Sequence, residues 1–443
     1  MNKITMNKII FFLASVVAAV TFASEASALP VFARQTGMEC AACHFQHFPL
    51  LNQFGRAFKT GGFTMIGAQA QVEGSGLSIP ATVNAAILTS MGYEKTNATR
   101  TPGAATNTSA GGSSTGAFFV GATGGEASLF VGGRGSDFMG YLGEVTLGGG
   151  SGAMDSLKTP ILFDINGTRA GVVFFSTNGQ GASYGFETLN TGANAIHSIT
   201  NTVGFGGQYI NAVSAQQYIG TGAAATGASI VAANEMGFIN VTKFDQIGPG
   251  SANLATLGST YLRLAGTFDL AGWDSAVGVQ NWRGTSTFGA GAPIVWAQQD
   301  TRATAIDAQM QGALGSMPTG FYVTYARAPI AESTTSIPNA FNAGTFTRSS
   351  FNIAAELGVV PDKATVGAAV RRGKSGFNDG SGENATDNAI YLTATYKLAQ
   401  NLLTRFSYVH ESGSFWNLVT TPGSTNATDL GINSYTVNLY ALF

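Results

Sequence analysis

Residues 435–443, at the end of the chain, read YTVNLYALF. Every second position carries an apolar side chain and the last residue is aromatic: Tyr435, Val437, Leu439, Ala441 and Phe443. A period of two places these side chains on one face of a β-strand. The same period recurs upstream, for example in residues 139–147 and 390–398. Alternation over about ten residues is the signal of a strand that crosses a membrane.

The composition combines low charge with the absence of long apolar segments. The 443 residues include 59 glycines and only 10% charged residues, and the formal net charge is -2. This balance excludes a basic nucleic-acid-binding protein and a charge-rich coiled coil. After residue 28, no apolar run approaches the roughly 18 residues that a spanning helix needs. A β-barrel reconciles these facts, because half of its strand residues face lipid and half face a polar lumen.

The strand pattern therefore predicts an all-β protein, a transmembrane antiparallel β-barrel of about 16 strands, with a small N-terminal α-helical segment. The clearest predicted strands are 402–411, 389–398, 364–372, 349–359, 320–328, 302–313, 274–284 and 259–269. Less distinct strands extend back toward residue 84, and the register across 190–230 stays open. A soluble β-sandwich would alternate too, but its surface would carry more charge and its loops would be short.

The aromatic C-terminus resembles the closing strand of bacterial outer-membrane barrels. With that terminus in the periplasm, short turns at 360–363 and 399–401 lie on the periplasmic side. Long polar loops then lie outside the cell, near 97–115, 328–348, 373–387 and 412–433. Short turns on one side and long loops on the other are typical of membrane barrels, whereas a sandwich has no reason to follow this rule.

Residues 1–28 have the features of a cleaved secretory signal. Lys3 and Lys8 supply a positive start, residues 9–20 are apolar, and residues 26–28 form an A-x-A cleavage site. We predict three parts: a signal peptide over 1–28, a small N-terminal domain over 29–75, and an outer-membrane barrel over 80–443.

The only two cysteines of the chain, Cys40 and Cys43, are followed directly by His44. C-x-x-C-H is the c-type haem attachment motif, so we predict that residues 29–75 form a monohaem cytochrome c domain. Two thiols one helical turn apart can add to the two vinyl groups of a porphyrin, and the next imidazole can bind the iron. The alternatives are a redox disulfide, which lacks a thioredoxin-like frame here, and half of a zinc site in a chain with four histidines.

A helix is predicted over residues 49–59, ended by Gly61 and Gly62, with an apolar stripe that can cover one haem face: Leu50, Phe54, Ala57 and Phe58. Residues 29–72 are about 44 in number, too few for a stable core of their own. We therefore expect the segment to pack against the rest of the chain.

The sixth iron ligand stays open among several candidates. Met65 follows the glycine turn and can fold back onto the iron, where Met/His ligation raises the potential, although a packing role is more usual for methionine. His47 lies on the same side of a helix as His44, which favours a surface or propionate-contacting role. The remaining alternatives are Met38, His197, His410 and an open site.

Residues 32–44 and 48–59 closely resemble the fused outer-membrane monohaem cytochrome-porins of iron-oxidising bacteria. The resemblance implies a haem domain that plugs or caps the barrel, with His44 as the proximal iron ligand and catalytic residue beside the thioethers of Cys40 and Cys43. It also implies an electron-transfer oxidoreductase, an iron oxidase, which takes electrons from extracellular Fe(II). It assigns no iron-binding residue.

The physical setting agrees with such a role. Fe(III) precipitates near neutral pH, so a cell gains by taking the electron at its surface and moving only the electron inward. One haem cannot bridge a hydrocarbon layer about 30 Å thick. We therefore expect a periplasmic carrier, such as a soluble cytochrome, as the second partner, and outer-membrane lipid around the barrel.

Charged residues of the barrel region are secondary candidates. Carboxylates of the predicted outer loops can hold Fe(II) transiently or simply keep the loops soluble: Asp379, Glu383, Asp387, Glu411 and Asp429. Arg371, Arg372 and Lys374 are expected to frame a strand end. Glu144 and Arg263 are candidate lumen charges, which could line the barrel or contact the haem propionates.

Three functional hypotheses follow. The first is an electron-transfer protein that oxidises extracellular Fe(II). The second is a solute porin with a haem-bearing plug, and the third is an electron-export conduit with another redox partner. A hydrolase is disfavoured, because no nucleophile-and-base constellation emerges from a chain with four histidines.

Overall fold

The computed structural model describes residues 31–96, 115–121, 125–147, 153–193, 214–251, 254–290, 295–332, 339–417 and 433–443. Several predicted features lie outside these ranges: the signal peptide, His197, Asp429, nearly all of the loop 97–115, and most of the loop 412–433.

The described residues form four short α-helices: α1 (Val31–Thr36), α2 (Cys40–Cys43), α3 (Gln53–Thr60) and α4 (Ala215–Tyr218). Two 3-10 turns lie at Ala182–Tyr184 and Ser414–Asn417. Within the described ranges, no helix has the length and apolarity needed to cross a membrane.

The strands are β1 (Gln71–Gly74), β2 (Leu77–Pro80), β3 (Ala85–Thr96), β4 (Thr115–Val120), β5 (Ala127–Arg134), β6 (Gly140–Thr146), β7 (Ala153–Ile165), β8 (Thr168–Thr177), β9 (Ala225–Asn234), β10 (Gly237–Asp245), β11 (Ser259–Leu270), β12 (Trp273–Ala290), β13 (Val295–Asp300), β14 (Ala303–Leu314), β15 (Met317–Ala328), β16 (Arg348–Val360), β17 (Ala364–Asn378), β18 (Asn384–Ala399), β19 (Leu402–Ser412) and β20 (Asn433–Leu442). All eight of the clearly predicted strands are present, and most are longer than predicted.

The wall is a closed antiparallel barrel of sixteen strands, as predicted: β3, β5 to β12 and β14 to β20. The predicted closing strand, β20, pairs with β3 from Ser434↔Thr96 to Leu442↔Leu88. The last residue continues this ladder, because the Phe443 amide donates to the Ile87 carbonyl at 3.0 Å and the Ile87 amide donates to the Phe443 carbonyl at 2.6 Å. Each of the sixteen wall strands pairs with a neighbour on both sides, which a strand structure in lipid requires.

The two faces of the wall differ as the alternation predicted. Large apolar side chains point outward and are exposed, for example Phe351, Ile353, Ile390, Phe406, Tyr435 and Val437. Their neighbours in sequence point inward and are buried and polar, for example Asn352, Glu356, Thr393, Arg405 and Asn438. An apolar outer belt is stable against lipid, because a Lys or Arg placed there would cost about 2–4 kcal/mol at mid-depth.

The two ends of the barrel also differ. One end, called the short-turn end below, carries tight turns such as Asn166–Gly167, whose φ angles of 53° and 81° suit the left-handed two-residue hairpin turn. The predicted turns near 360–363 and 399–401 lie at this end too. At the opposite end, the long-loop end, β15 and β16 are separated by 329–347 in the sequence, and β19 and β20 by 413–432.

One predicted long loop is wrong. Residues 373–387 are mostly β-strand, because Gly373 pairs with Asp387 and Asn378 pairs with Asn384. The loop itself is only Asp379–Glu383. The hairpin extends past the apolar outer belt, so both of its faces are polar there. Its sequence therefore lacks the alternation of a strand and resembles that of a loop.

The lumen is occupied by the connection between β8 and β9, whose described parts are 178–193 and 214–224 and which we call the inner connection. Its residues Glu187, Leu189, Asn190, Thr191 and Gln216 are fully buried. Thr191 Oγ1 donates to Asp307 of β14 at 2.7 Å, and the Ala215 amide donates to Thr324 of β15 at 2.9 Å. The sequence did not reveal that this Gly- and Asn-rich stretch folds inward.

The N-terminal segment, residues 31–70, lies in the lumen at the short-turn end, and we call it the N-terminal plug. It contacts wall residues close to the short turns, such as Asp274 and Glu356. It also meets the inner connection, where the Leu51 amide donates to Asn190 Oδ1 and Asn190 Nδ2 donates to the Leu51 carbonyl, both at 2.9 Å. The segment does pack against the rest of the chain, as its small size predicted.

Candidate haem-binding site

The attachment motif forms a single helical turn at the short-turn mouth. Cys40 and Cys43 begin and end α2, and the His44 amide donates to the Cys40 carbonyl at 2.9 Å. Both cysteines are free and half-buried. Burial raises the pKa of each thiol, so both are protonated at neutral pH. The two cysteines are three residues apart on this one turn, so their thiols project from the same side of the helix, the arrangement that addition to two vinyl groups needs.

The N-cap residue of helix α3, Asn52, is hydrogen-bonded to this turn. Asn52 Oδ1 caps α3 by accepting from the Gly55 amide at 2.9 Å, while Asn52 Nδ2 donates to the carbonyls of Ala41 at 3.3 Å and Ala42 at 3.0 Å. Gly55 allows the close approach, because a Cβ at that position would lie 2.1 Å from the Cys43 carbonyl oxygen. Neither Asn52 nor Gly55 was singled out from the sequence, although an Asn three residues before a Gly in the first turn is a visible cap signal.

The His44 imidazole is held in the tautomer that an iron ligand needs. Its Nδ1 lies 3.1 Å from the Leu50 carbonyl oxygen, to which Nδ1–H donates, so the lone pair belongs to Nε2. Burial lowers the pKa of His44 to about 4, and the backbone hydrogen bonds only partly oppose this effect. His44 is therefore neutral at physiological pH.

Beside these three residues is an apolar cavity of about 350 Å³, which falls within the size range of small-molecule and cofactor pockets. The plug contributes Phe32, Cys40, Cys43, His44, Phe48, Phe58 and Phe63, and the wall contributes Ala86, Leu88, Leu142, Leu403 and Leu442. Both thiols and the imidazole thus face one apolar space. This donor set fits a covalently attached haem.

The described cavity lining also carries an excess of positive charge. Lys59, Lys158 and Lys397 line it, and the only carboxylate among these lining residues is Glu39, which is exposed. Burial lowers the pKa of Lys59 to about 8, and Glu187 only partly offsets this. A ligand with carboxylate groups suits such a lining.

The predicted helix over 49–59 begins later than expected. α3 starts at Gln53, and the four residues of the predicted apolar stripe do not share one environment. Leu50 is fully buried against wall residues such as Tyr322 and Tyr391, and Phe54 is 38% exposed. Phe58 does line the cavity, where its ring lies 5.1 Å from that of Phe32.

The candidate sixth ligands are distributed as follows. Met38 and His47 line the cavity, whereas Met65 is not among the lining residues. The Met65 carbonyl accepts from Gln35 Nε2 at 2.8 Å. His410 is excluded, because it lies on the outer side of β19 and its Nδ1 is 2.9 Å from Asn433 Oδ1.

The surface role considered for His47 is wrong. The residue is 3% exposed, and its Nε2 lies 2.5 Å from Glu356 Oε1 of β16. The imidazole therefore joins the plug to the wall beside the cavity.

The lumen charges form a compact network in the centre of the barrel. Arg263 contacts Asp307 at 2.5 Å and Glu187 at 3.0 Å, and both Arg263 and Glu187 are fully buried. The prediction that Arg263 faces the lumen is confirmed. Glu144 also faces inward, since its Oε2 accepts from Ser156 Oγ at 3.3 Å.

The carboxylates considered for Fe(II) contact are not grouped. Asp387 and Glu411 are buried in the wall, where Arg371 binds them at 2.6 and 2.5 Å, so they are not free loop residues as predicted. Asp379 and Glu383 do lie in an exposed turn. Across the described ranges, no three His, Cys, Asp or Glu side chains are arranged to hold a metal ion.

Comparison with known proteins shows likeness in fold only. No family model matches the chain, and no curated protein sequence matches it. Among solved structures, in-vitro folded OmpT of Vibrio cholerae is 11% identical, with 84% of this chain and 99% of that chain covered at a TM-score of 0.46. An anion-selective porin from Comamonas acidovorans is 11% identical over 82% and 99% of the two chains at a TM-score of 0.45. The outer membrane channel DcaP of Acinetobacter baumannii is 9% identical over 82% and 97% at a TM-score of 0.46.

The closed wall, the apolar outer belt and the contrast between the two ends define a transmembrane β-barrel of the outer-membrane porin type. Its distinguishing feature is the N-terminal plug, which carries a C-x-x-C-H turn into the mouth of the barrel.

Proposed function

We propose that this protein is an outer-membrane electron-transfer protein that carries one haem c on Cys40, Cys43 and His44, takes electrons from extracellular Fe(II), and passes them to a soluble periplasmic carrier. The observation that supports this most directly is the apolar cavity, which both thiols and the His44 imidazole face at the mouth of a closed barrel. In this proposal the short-turn end, with the C-terminus, faces the periplasm.

Each residue of the site would have a separate role in holding the haem. The thiols of Cys40 and Cys43 would hold the haem as thioethers, and His44 would bind the iron through Nε2 while its Nδ1–H stays bonded to the Leu50 carbonyl. The phenyl rings of Phe32 and Phe58, which line the cavity, would exclude water from the bound group. When bound, haem supplies a one-electron iron centre.

The packed centre of the lumen favours electron transfer over solute transport. Glu187, Asp307 and Arg263 are buried there, and the inner connection is bonded to the plug through Asn190 and Leu51. A solute porin keeps its constriction solvated, whereas these side chains are buried against one another. The porin hypothesis is therefore the weaker one.

The chemistry of iron favours a donor that stays outside. Each Fe(II) that gives up one electron becomes Fe(III), which hydrolyses and precipitates near neutral pH. The barrel passes the electron and keeps the iron out. The export hypothesis uses the same residues in the reverse direction, and the relative potentials of the two partners decide between them.

Sealed vesicles with an oxidised c-type cytochrome trapped inside test the proposal. Fe(II) added outside should reduce the trapped cytochrome only when the wild-type protein spans the membrane, and His44→Ala should abolish this. His410→Ala is the matched control, because His410 points away from the lumen. A His44→Ala protein that reduces the trapped cytochrome normally would refute the proposal. If dithionite reduces the haem but Fe(II) does not, the proposed haem attachment stands and Fe(II) is rejected as the electron donor.

A further inference from the structure

Two lysines, one buried and one half-buried, line the cavity without a free carboxylate partner among the described residues. Lys158 of β7 is 4% exposed, and Lys59 of α3 lies close enough to repel it. The acid that acts on Lys59 is Glu187, whose carboxylate already binds Arg263 at 3.0 Å and the Leu189 amide at 2.9 Å.

The contacts of Lys158 are those of a cation without an anion. Its Nζ donates to the Tyr184 carbonyl at 3.3 Å and lies 4.1 Å from the centre of the Tyr184 ring and 5.8 Å from that of Phe63. Carbonyl and ring contacts compensate an ammonium group only in part. Two such groups beside one apolar cavity call for a ligand with negative charge.

The position of the lysines matches one end of a haem. Cys40 is at the rim, where its Sγ lies 3.9 Å from the Gln400 carbonyl oxygen in the short turn before β19. Lys158 lies near the middle of β7, farther into the barrel. In haem c the two propionates project from the edge of the ring opposite the thioethers, so a ring attached at the rim directs its propionates inward.

We propose that Lys59 and Lys158 bind the two propionate carboxylates of the haem and so fix the ring with its propionate edge toward the centre of the barrel. The inference rests on the proposed haem attachment at Cys40 and Cys43. It does not depend on the identity of the electron donor.

The test is a redox titration of the purified full-length haem protein and of its Lys59→Met and Lys158→Met variants over pH 5 to 8. Loss of a lysine removes positive charge and raises the pKa of its propionate. We expect the equilibrium constant for haem reduction at neutral pH to fall about tenfold, equivalent to about 59 mV for a one-electron couple. The potential should also become dependent on pH in this range, which is not expected of the wild type.

Lys397→Met is the matched control, because Lys397 also lines the cavity but lies on β18 near the rim, where it acts on Cys40. The propionate bending mode in the resonance Raman spectrum should shift in the Lys59 and Lys158 variants and stay unchanged in the Lys397 variant. Lys158→Arg should restore the wild-type mode, and Lys158→Gln replaces the Met variant if that one does not assemble.

Equal behaviour of all three lysine variants, with an unchanged propionate mode, would overturn the inference. Failure of the proposed function has a different signature. A wild-type protein without covalently bound haem would overturn the attachment itself, whereas a propionate shift in a protein that Fe(II) does not reduce would support the inference and reject the donor.

Discussion

Replacing Arg56 by Met should loosen the N-terminal plug. Arg56 Nη2 lies 2.7 Å from both carboxylate oxygens of Asp274 on β12, and Nη1 lies 3.4 Å from Gln311 Oε1. The Arg56 side chain is 7% exposed and that of Asp274 is 24% exposed. Methionine keeps the apolar stem of the side chain but leaves the Asp274 carboxylate without its partner.

The structure sets the size of this effect. Breaking a fully buried pair costs about 3–5 kcal/mol, and an exposed pair contributes about 0–1 kcal/mol. Since Asp274 keeps some access to water, we expect the plugged state to lose about 2 kcal/mol relative to a released state. Because about 1.4 kcal/mol corresponds to a factor of ten, the released population should rise about 30-fold.

Protease cleavage of the plug measures this population, because only a released plug presents its backbone to the protease. Arg169→Met is the matched control, since Arg169 pairs with Asp164 at 3.5 Å at the same end of the barrel but the two side chains are 33% and 52% exposed. In the double variant with Asp274→Asn, the cleavage rate should fall back toward that of the wild type. A folded Arg56→Met protein with wild-type protease resistance would refute the reasoning.

Two further substitutions probe the contacts around the plug. Gly55→Ala places a Cβ 2.1 Å from the Cys43 carbonyl oxygen, so covalent haem content, measured as pyridine haemochrome, should fall severalfold. Gly179→Ala, where no atom lies within 4 Å, should leave it unchanged; equal haem content in both variants would contradict the close-approach argument. Asn190→Ala removes both hydrogen bonds to Leu51, each worth about 1 kcal/mol, so exchange of the Leu51 amide should accelerate at least tenfold. Unchanged protection of that amide would show that the plug and the inner connection are held together elsewhere.

The strands of the barrel wall were predictable because their apolar and polar residues alternate, with apolar side chains facing lipid and polar side chains facing the lumen. Strand β20 reads apolar at Tyr435 and Val437 and polar at Thr436 and Asn438, and the structure places the first pair outside and the second inside. The alternation disappears where both faces of a strand lie in a polar environment. Residues 373–387 extend beyond the apolar belt, so their strand pairing left no alternation to detect.

The inner connection escaped prediction for a related reason. Thr188, Asn190 and Thr191 are typical of exposed loops, yet all three are buried. A polar lumen satisfies such side chains as well as water does, as in the hydrogen bond from Thr191 Oγ1 to Asp307 Oδ1 at 2.7 Å. Composition cannot separate a polar residue that meets water from one that meets a polar wall.

The candidate site was predictable only where it is local. Cys40, Cys43 and His44 are adjacent in sequence, and their spacing carries the chemistry. Lys158 and Glu356 come from strands far along the chain and reach the plug only because the barrel closes around it. Contacts between residues so far apart in the chain cannot be deduced from their spacing in the sequence.

The two proposed redox partners differ in how closely they can approach the cavity. The 13 residues of β16 span about 43 Å along the strand, or about 33 Å along the barrel axis at a tilt of about 40°. A carrier at the short-turn mouth can approach the cavity closely, whereas a donor at the long-loop end is separated from it by the inner connection. In detergent, Fe(II) can reach both ends and use the short-turn mouth. Rapid reduction in detergent therefore supports the haem but not the direction of transfer, and only reduction across a sealed membrane tests the route through the barrel.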